Sequence, residues 1–268
     1  MTTLCRASSD IEGMEQMNKK LFRVALLLLC AITLLSSCGK PPKMEVENGN
    51  YTNKKSGVTY LRAPMNYEAV SIVKGKTVAR VAQDKLDDII LYEIENTAPE
   101  KLLATGDYEL FYAKGTTLPK LWEMNPTKVL LSQTGTISFA SASIEDGADI
   151  AVLVELYQNG VSFSKDEIDV ALTPTRYDLK FASTEYPAFY YTLTYWRFTA
   201  DVEVWELIDD PNNFVPSYAG IEVTTEVYED ENYAVYNFGK EILYDRTTGK
   251  CYAVGETVAK YLDGTDAS

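Results

Sequence analysis

From Tyr51 onward the chain is a succession of short runs rich in Val, Ile, Tyr, Phe and Thr, each soon interrupted by Gly, Pro, Asn or Asp. Runs of roughly four to eight such residues between turn formers are the pattern of β-strands. "DIILYEI", "DYELFYA", "KVLLS" and "TISFAS" fall in the first part. "RYDLKFAS", "AFYYTLTYWRF", "DVEVWELI", "GIEVTTEVY", "NYAVYNF" and "KEILYDR" follow in the second. Connections this short suit antiparallel neighbours, because a parallel crossover needs a dozen or more residues.

Two stretches share a form. "YTNKKSGVTYLRA" and "LYDRTTGKCYAV" each run tyrosine, polar residues, Ser or Thr, glycine, two residues, tyrosine. Each predicts a hairpin whose glycine takes a positive φ in a short loop. The likeness is that of a shared turn, not of a duplicated domain. "VSIVKGKTVARV" predicts a third hairpin, turning at Gly75.

Other segments break the rhythm. "TAPEKLLATG" offers a Thr97…Glu100 capping box, a proline in the first turn and Gly106 beyond, which predicts one or two helical turns. In "SIEDGADIAVLVELYQNG", Ile150, Leu153, Val154 and Tyr157 fall at helical spacing, with Ser143…Asp146 as a capping box and Gly160 as terminator. Val152, Val154 and Leu156 also alternate, and Asn159-Gly160 is a hairpin signal; helical spacing with an acidic first turn favours the helix. "GETVAKYLDG" predicts a short helix ending at Gly264. The expected class is α+β: a predominantly antiparallel sheet, sandwich-like or split into two small sheets, with two or three short helices. Residues 51–142 form a β-rich half and 143–268 an α+β half, joined near Ala142–Gly147 as two domains or as one.

The start of the chain reads differently. Val24 to Leu35 is apolar except for Thr33, and Lys19, Lys20 and Arg23 precede it. The run is shorter than the roughly 20 residues of a membrane span and has the build of a secretory signal. Residues 1–16 are polar and acidic, which points to translation starting at Met17 ("MNKKLFR"). The run ends in Leu35-Ser36-Ser37-Cys38, followed by Gly39. This order resembles the lipobox of bacterial lipoproteins. The resemblance implies a signal peptide over residues 17–37, removal of that leader, a lipid on Cys38 and a position outside the cytoplasm. Membrane lipid, through Cys38, is then the one partner it implies. Residues 38–50 become the lipidated cysteine and a Pro/Gly-containing tether, able to extend about 40 Å.

Charge and missing residue types exclude much chemistry. The chain has 39 Asp+Glu against 25 Lys+Arg, a net of −14. Such a surface repels nucleic acid, whose binding depends on neutralising phosphates. Histidine is absent altogether, which removes Ser-His-Asp and Cys-His nucleophiles and imidazole metal ligands. Cys5 and Cys30 lie in the leader and Cys38 is taken by lipid. Cys251 is left without a partner for an intrachain disulfide and reads as a small apolar residue on a strand. Calcium loops and glycine-rich nucleotide motifs are absent, so neither metal nor cofactor is expected, and no catalytic residue is assigned. Asp87-Asp88 reads as protection of a strand edge.

Two segments carry functional readings. "DVEVWE", with Asp201, Glu203 and Glu206, is similar to the bulged-strand motif of jelly-roll β-glucanases, with Asp where that family has its nucleophilic Glu and Glu at its central Asp. The similarity implies a surface glycoside hydrolase working through paired carboxylates. "YPAFYYTLTYWRF" is the most aromatic stretch. On a strand, Phe189, Tyr191, Leu193 and Tyr195 face the core, while Tyr190, Thr192, Thr194 and Trp196 face the other way and are partly exposed. Tyr190 and Trp196 then offer a stacking platform for sugar or peptide, or pack against a neighbouring strand. The leading expectation is a lipid-anchored, extracytoplasmic binding or structural module without catalysis, meeting a cell-surface protein or glycan. The hydrolase is the alternative.

Overall fold

A computed structural model describes residues 41–81, 88–134, 140–169 and 171–263. The lipobox residues Leu35, Ser36, Ser37 and Cys38 lie outside them, as do Asp87, Gly264 and most of "TISFAS".

The first part of the chain supplies β1 (Met44–Glu47), β2 (Asn50–Asn53), β3 (Thr59–Arg62), β4 (Tyr67–Ala69), β5 (Ile72–Val81), β6 (Ile89–Ile94), β7 (Leu102–Thr105) and β8 (Leu110–Ala113). All but β4 form one antiparallel sheet in the order β1-β2-β3-β8-β7-β6-β5. Its two edges meet: the Arg80 N–H donates to the Pro42 carbonyl at 3.0 Å, and Lys43 and Arg80 form a parallel bridge. The sheet thus closes on itself around a small core that includes Met44, Tyr60, Leu91, Leu103 and Phe111.

The rest supplies β9 (Lys128–Gln133), β10 (Ala140–Ile144), α1 (Gly147–Asn159), β11 (Ser162–Ser164), β12 (Thr175–Ala182), β13 (Phe189–Arg197), β14 (Glu203–Leu207), β15 (Glu222–Tyr228), β16 (Glu231–Asn237), β17 (Glu241–Tyr244), β18 (Lys250–Ala253) and α2 (Ala259–Leu262). The second sheet runs β10-β9-β12-β13-β17-β18-β11, and β4 also pairs with β13. A third, three-stranded sheet has the order β14-β16-β15. Every pairing between named strands is antiparallel, which bears out the β-dominated class. Neither helix among the described residues is long and apolar enough to cross a membrane.

The largest core joins elements from both halves. Leu102, Ala104 and Leu110 of the first sheet meet Leu131, Leu179, Leu193 and Tyr195 of the second, with Ile150 and Leu153 of α1. Glu145 and Asp146 are therefore the link between β10 and α1, with strands of one sheet on either side.

β13 runs through the middle and is buried on both faces. Phe189, Tyr191, Leu193 and Tyr195 enter the large core as expected. The opposite face departs from expectation: Thr192 and Thr194 are each 3% exposed and Trp196 is 5% exposed. Trp196 joins Phe163, Val204, Ala234, Tyr236 and Cys251 in a second core. The inner side of the three-stranded sheet covers Trp196, and the Arg246 guanidinium lies over Thr194, donating to its hydroxyl at 2.7 Å; strand periodicity cannot report such a cover.

Four local expectations are corrected. The tether does not reach residue 50, because Met44–Glu47 form β1, Met44 is buried in the small core and β2 starts at Asn50. Residues 97–105 are not a helix. A single hydrogen-bonded turn at Ala98–Leu102 leads into β7, whose four residues are all buried. Leu102 and Ala104 face the large core and Leu103 the small one; a strand buried on both faces loses the alternation that would distinguish it. Gly75 does not turn a hairpin. It lies inside β5 at φ 82, where residues 73–76 bulge out of the ladder with β6. The α1 cap is Asp146 and not Ser143, accepting from the Ala148 N–H at 2.8 Å. Gly160 ends α1 at φ −70, because a side chain there would meet the Leu156 carbonyl. The helix itself stands where its spacing predicts.

Candidate ligand-binding face

Alternation on β14 decides the geometry. Val204 points into the second core, while Glu203, Trp205 and Leu207 point outward. Trp205 is 45% exposed and Leu207 53%. Across the sheet, Trp205 pairs with Val235 and Leu207 with Tyr233, and Tyr233 pairs in turn with Glu226 of β15. The Trp205 ring lies 5.8 Å from Tyr233 and 6.3 Å from the exposed Tyr228, edge-on to both. The Tyr233 hydroxyl donates to Glu231 at 2.6 Å; that bond, foremost, raises its pKa. The result is an aromatic face standing in water, edged by Glu203, Glu226 and Glu231.

A groove of about 660 Å³ opens beside β14, between Asp201–Trp205 and the segment around residues 166–172. Ile168, Leu172 and Trp205 give it apolar walls. Among the described residues, Asp166, Glu167, Asp169, Asp201 and Glu203 line it, and no Lys or Arg does. Among the described residues none of these acids forms an ion pair. Glu167 accepts from the Tyr218 hydroxyl at 2.6 Å, Asp169 from the Ala171 N–H at 2.8 Å and Asp201 from the Asn237 amide at 2.9 Å. No group of three or more potential metal-ligating side chains gathers among the described residues.

The three acids of "DVEVWE" are not brought together. β14 pairs with β16 in unbroken register, so no bulge turns Glu203 and Glu206 to one side. Glu206 accepts from the Tyr236 hydroxyl at 2.7 Å and the Ser217 hydroxyl at 2.8 Å, away from the groove that Asp201 and Glu203 line. Paired-carboxylate hydrolysis needs both acids across one cleft, and Glu206 does not take part in this one.

The aromatic pair proposed on β13 is placed differently as well. Trp196 is stacked on Tyr244 at 4.3 Å, with the Arg176 guanidinium 5.7 Å over its ring. It lines a second hollow of about 410 Å³ on the other side of Ile168 and Leu172. Tyr190 is half-buried, 6.0 Å from the Lys180 ammonium, which pairs with Glu68 at 2.5 Å. No exposed platform joins Tyr190 to Trp196. Trp205, which sequence reading passed over inside the acidic motif, is exposed instead. Its signal was the alternation Glu203, Trp205, Leu207 set against Val202, Val204, Ile208. Comparison of the chain with protein-family models, with curated proteins and with solved structures finds no match to any of them.

Proposed function

We propose that this chain is a lipid-anchored, extracytoplasmic binding module that holds its ligand on the outer face and edge of the three-stranded sheet. The observation that carries the binding reading is the joint exposure of Trp205, Leu207 and Tyr228 on one sheet face beside an open groove. Apolar residues scattered singly on a surface need no explanation, but a contiguous aromatic group with an adjoining groove marks an interaction site. The anchoring reading rests on the order Leu35-Ser36-Ser37-Cys38 after a basic and then apolar leader. Two acyl chains hold a protein on a bilayer where one is marginal.

Two experiments test the two parts. Cells expressing the chain and fed an alkyne-tagged fatty acid should label it, and Cys38→Ala should abolish both labelling and leader removal. An unmodified Cys38 on membrane-bound protein refutes the anchor. For binding, the full-length chain in detergent is titrated with soluble cell-wall glycan fragments and, separately, with peptides, following tryptophan fluorescence. A saturable change lost in Trp205→Ala and kept in Trp196→Phe supports the face described. No saturable change with either class sinks it.

A further inference from the structure

We propose that the ligand of this face is an extended peptide carrying Lys or Arg side chains, which adds to the three-stranded sheet as a strand beside β14. This rests on the binding-module reading and narrows it to one chemical class.

β14 is an outer strand of its sheet. The Val202 N–H donates inward to the Gly239 carbonyl and the Ile208 N–H to the Asn232 carbonyl, both at 2.8 Å. Hydrogen-bonding direction alternates along a strand, so the N–H and C=O groups of Glu203, Trp205 and Leu207 point the other way. Among the described residues no strand pairs with that side. An open edge of this kind is a template for a further strand, main-chain bonds giving affinity and alternate side chains giving selectivity. The groove lies along this edge, with Val204 and Trp205 in its wall.

Charge selects the occupant. Among the described residues five carboxylates and no base line the groove, so an incoming strand gains by presenting cations, and Trp205 adds a ring face for a guanidinium or ammonium. A second copy of this chain is disfavoured: it brings the same carboxylates and no base to the groove, and like charges reject a partner. A neutral glycan stacks on Trp205 but uses neither the backbone edge nor the carboxylates.

The test uses the full-length chain in detergent and a fluorescein-labelled hexapeptide of alternating Val and Arg, read by fluorescence anisotropy. Saturable binding is expected, and it should weaken roughly tenfold or more when alternate amides are N-methylated in one of the two registers. Asp169→Lys combined with Glu203→Lys, both at exposed positions, should weaken it by roughly the same factor, since like-charge contacts reject a partner. A hexapeptide of alternating Val and Glu should not bind. Absence of binding by the Val-Arg peptide overturns the proposal, as does equal binding by the Val-Glu peptide. Binding that survives N-methylation in both registers also overturns it, because only diffuse charge attraction is then at work. If Trp205 fluorescence responds to glycan while the Val-Arg peptide fails, the peptide inference falls and the binding-module reading stands.

Discussion

Asp245 is a carboxylate with 1% exposure that joins distant parts of the chain. It accepts from the Asn66 amide at 2.8 Å, the Tyr157 hydroxyl at 2.9 Å, the Thr248 hydroxyl at 2.7 Å and the Thr247 N–H at 2.8 Å. Burial alone would raise its pKa, but those donors outweigh it and hold the carboxyl below its ordinary range. Asp245→Ala strands several buried donors and should cost about 3–5 kcal/mol in urea unfolding; Asp245→Asn, which keeps the shape, should cost less. Glu241 shows the opposite sign. Burial, with help from Asp263 and Glu256, pushes its carboxyl up to about 7. The neighbouring Arg197 grips Asp263 with two nitrogens, at 2.5 and 3.1 Å, and reaches Glu241 only at 3.3 Å. A raised carboxyl means that the folded state holds the proton more tightly than the unfolded one. Its stabilising contribution is complete below the unfolded pKa and is lost as pH rises through about 7. Thermal unfolding followed from roughly pH 5 to pH 8 should therefore show a fall that Glu241→Gln flattens; an unchanged slope contradicts the assignment. Neither residue was legible as a buried charge in the sequence. Their partners lie far off in the chain, Asn66 being 179 positions from Asp245, and no local pattern encodes that pairing.

The hairpins read well from sequence because their causes are local. Between β2 and β3, the Asn53 N–H donates to the Val58 carbonyl, the Gly57 N–H returns to the Asn53 carbonyl, and the Asn53 side chain accepts from the Lys55 N–H. Between β17 and β18, Asp245, Gly249, Lys250 and Thr247 repeat each bond. Gly57 at φ 72 and Gly249 at φ 75 fill the same left-handed position, which an L side chain enters at a cost. The shared phrase is thus a shared four-residue loop, as its composition suggests. The β15–β16 turn is a contrast. Glu229 and Asp230 stand at φ 50 and 67, both positions of a two-residue turn that favours Asn-Gly. Replacing the pair by Asn-Gly should stabilise the chain by about 1–2 kcal/mol, measured as a higher urea midpoint; a lower midpoint refutes the account. β7 and the covered face of β13 escaped prediction for a different reason. Both are buried on two sides, and what covers each is built from residues remote in the chain.

At the scale of the molecule, one core shared between two closed or layered sheets implies that the halves unfold together. The candidate face follows the same logic: its acids were legible, but the exposure of Trp205 depended on β14 being an outer strand, which only topology decides. Cys251 serves as a probe of the whole. It is fully buried in the second core, and burial, chiefly, pushes its thiol up to about 12. A thiol reagent added to the folded protein should leave Cys251 unmodified until the cooperative transition seen by circular dichroism, and chelator should not move that transition. Modification well before it would reveal a looser second core. The closure of the first sheet has a mechanical side. The seam lies at Pro42, where the main-chain bond from Arg80 joins the two edges, and Met44 follows in the small core at 1% exposure. A pull on the residues ahead of Pro42 loads that seam before anything else. The strand first peeled away is β1, so a force applied there opens the closed sheet from its join while β13 and its neighbours keep their pairing.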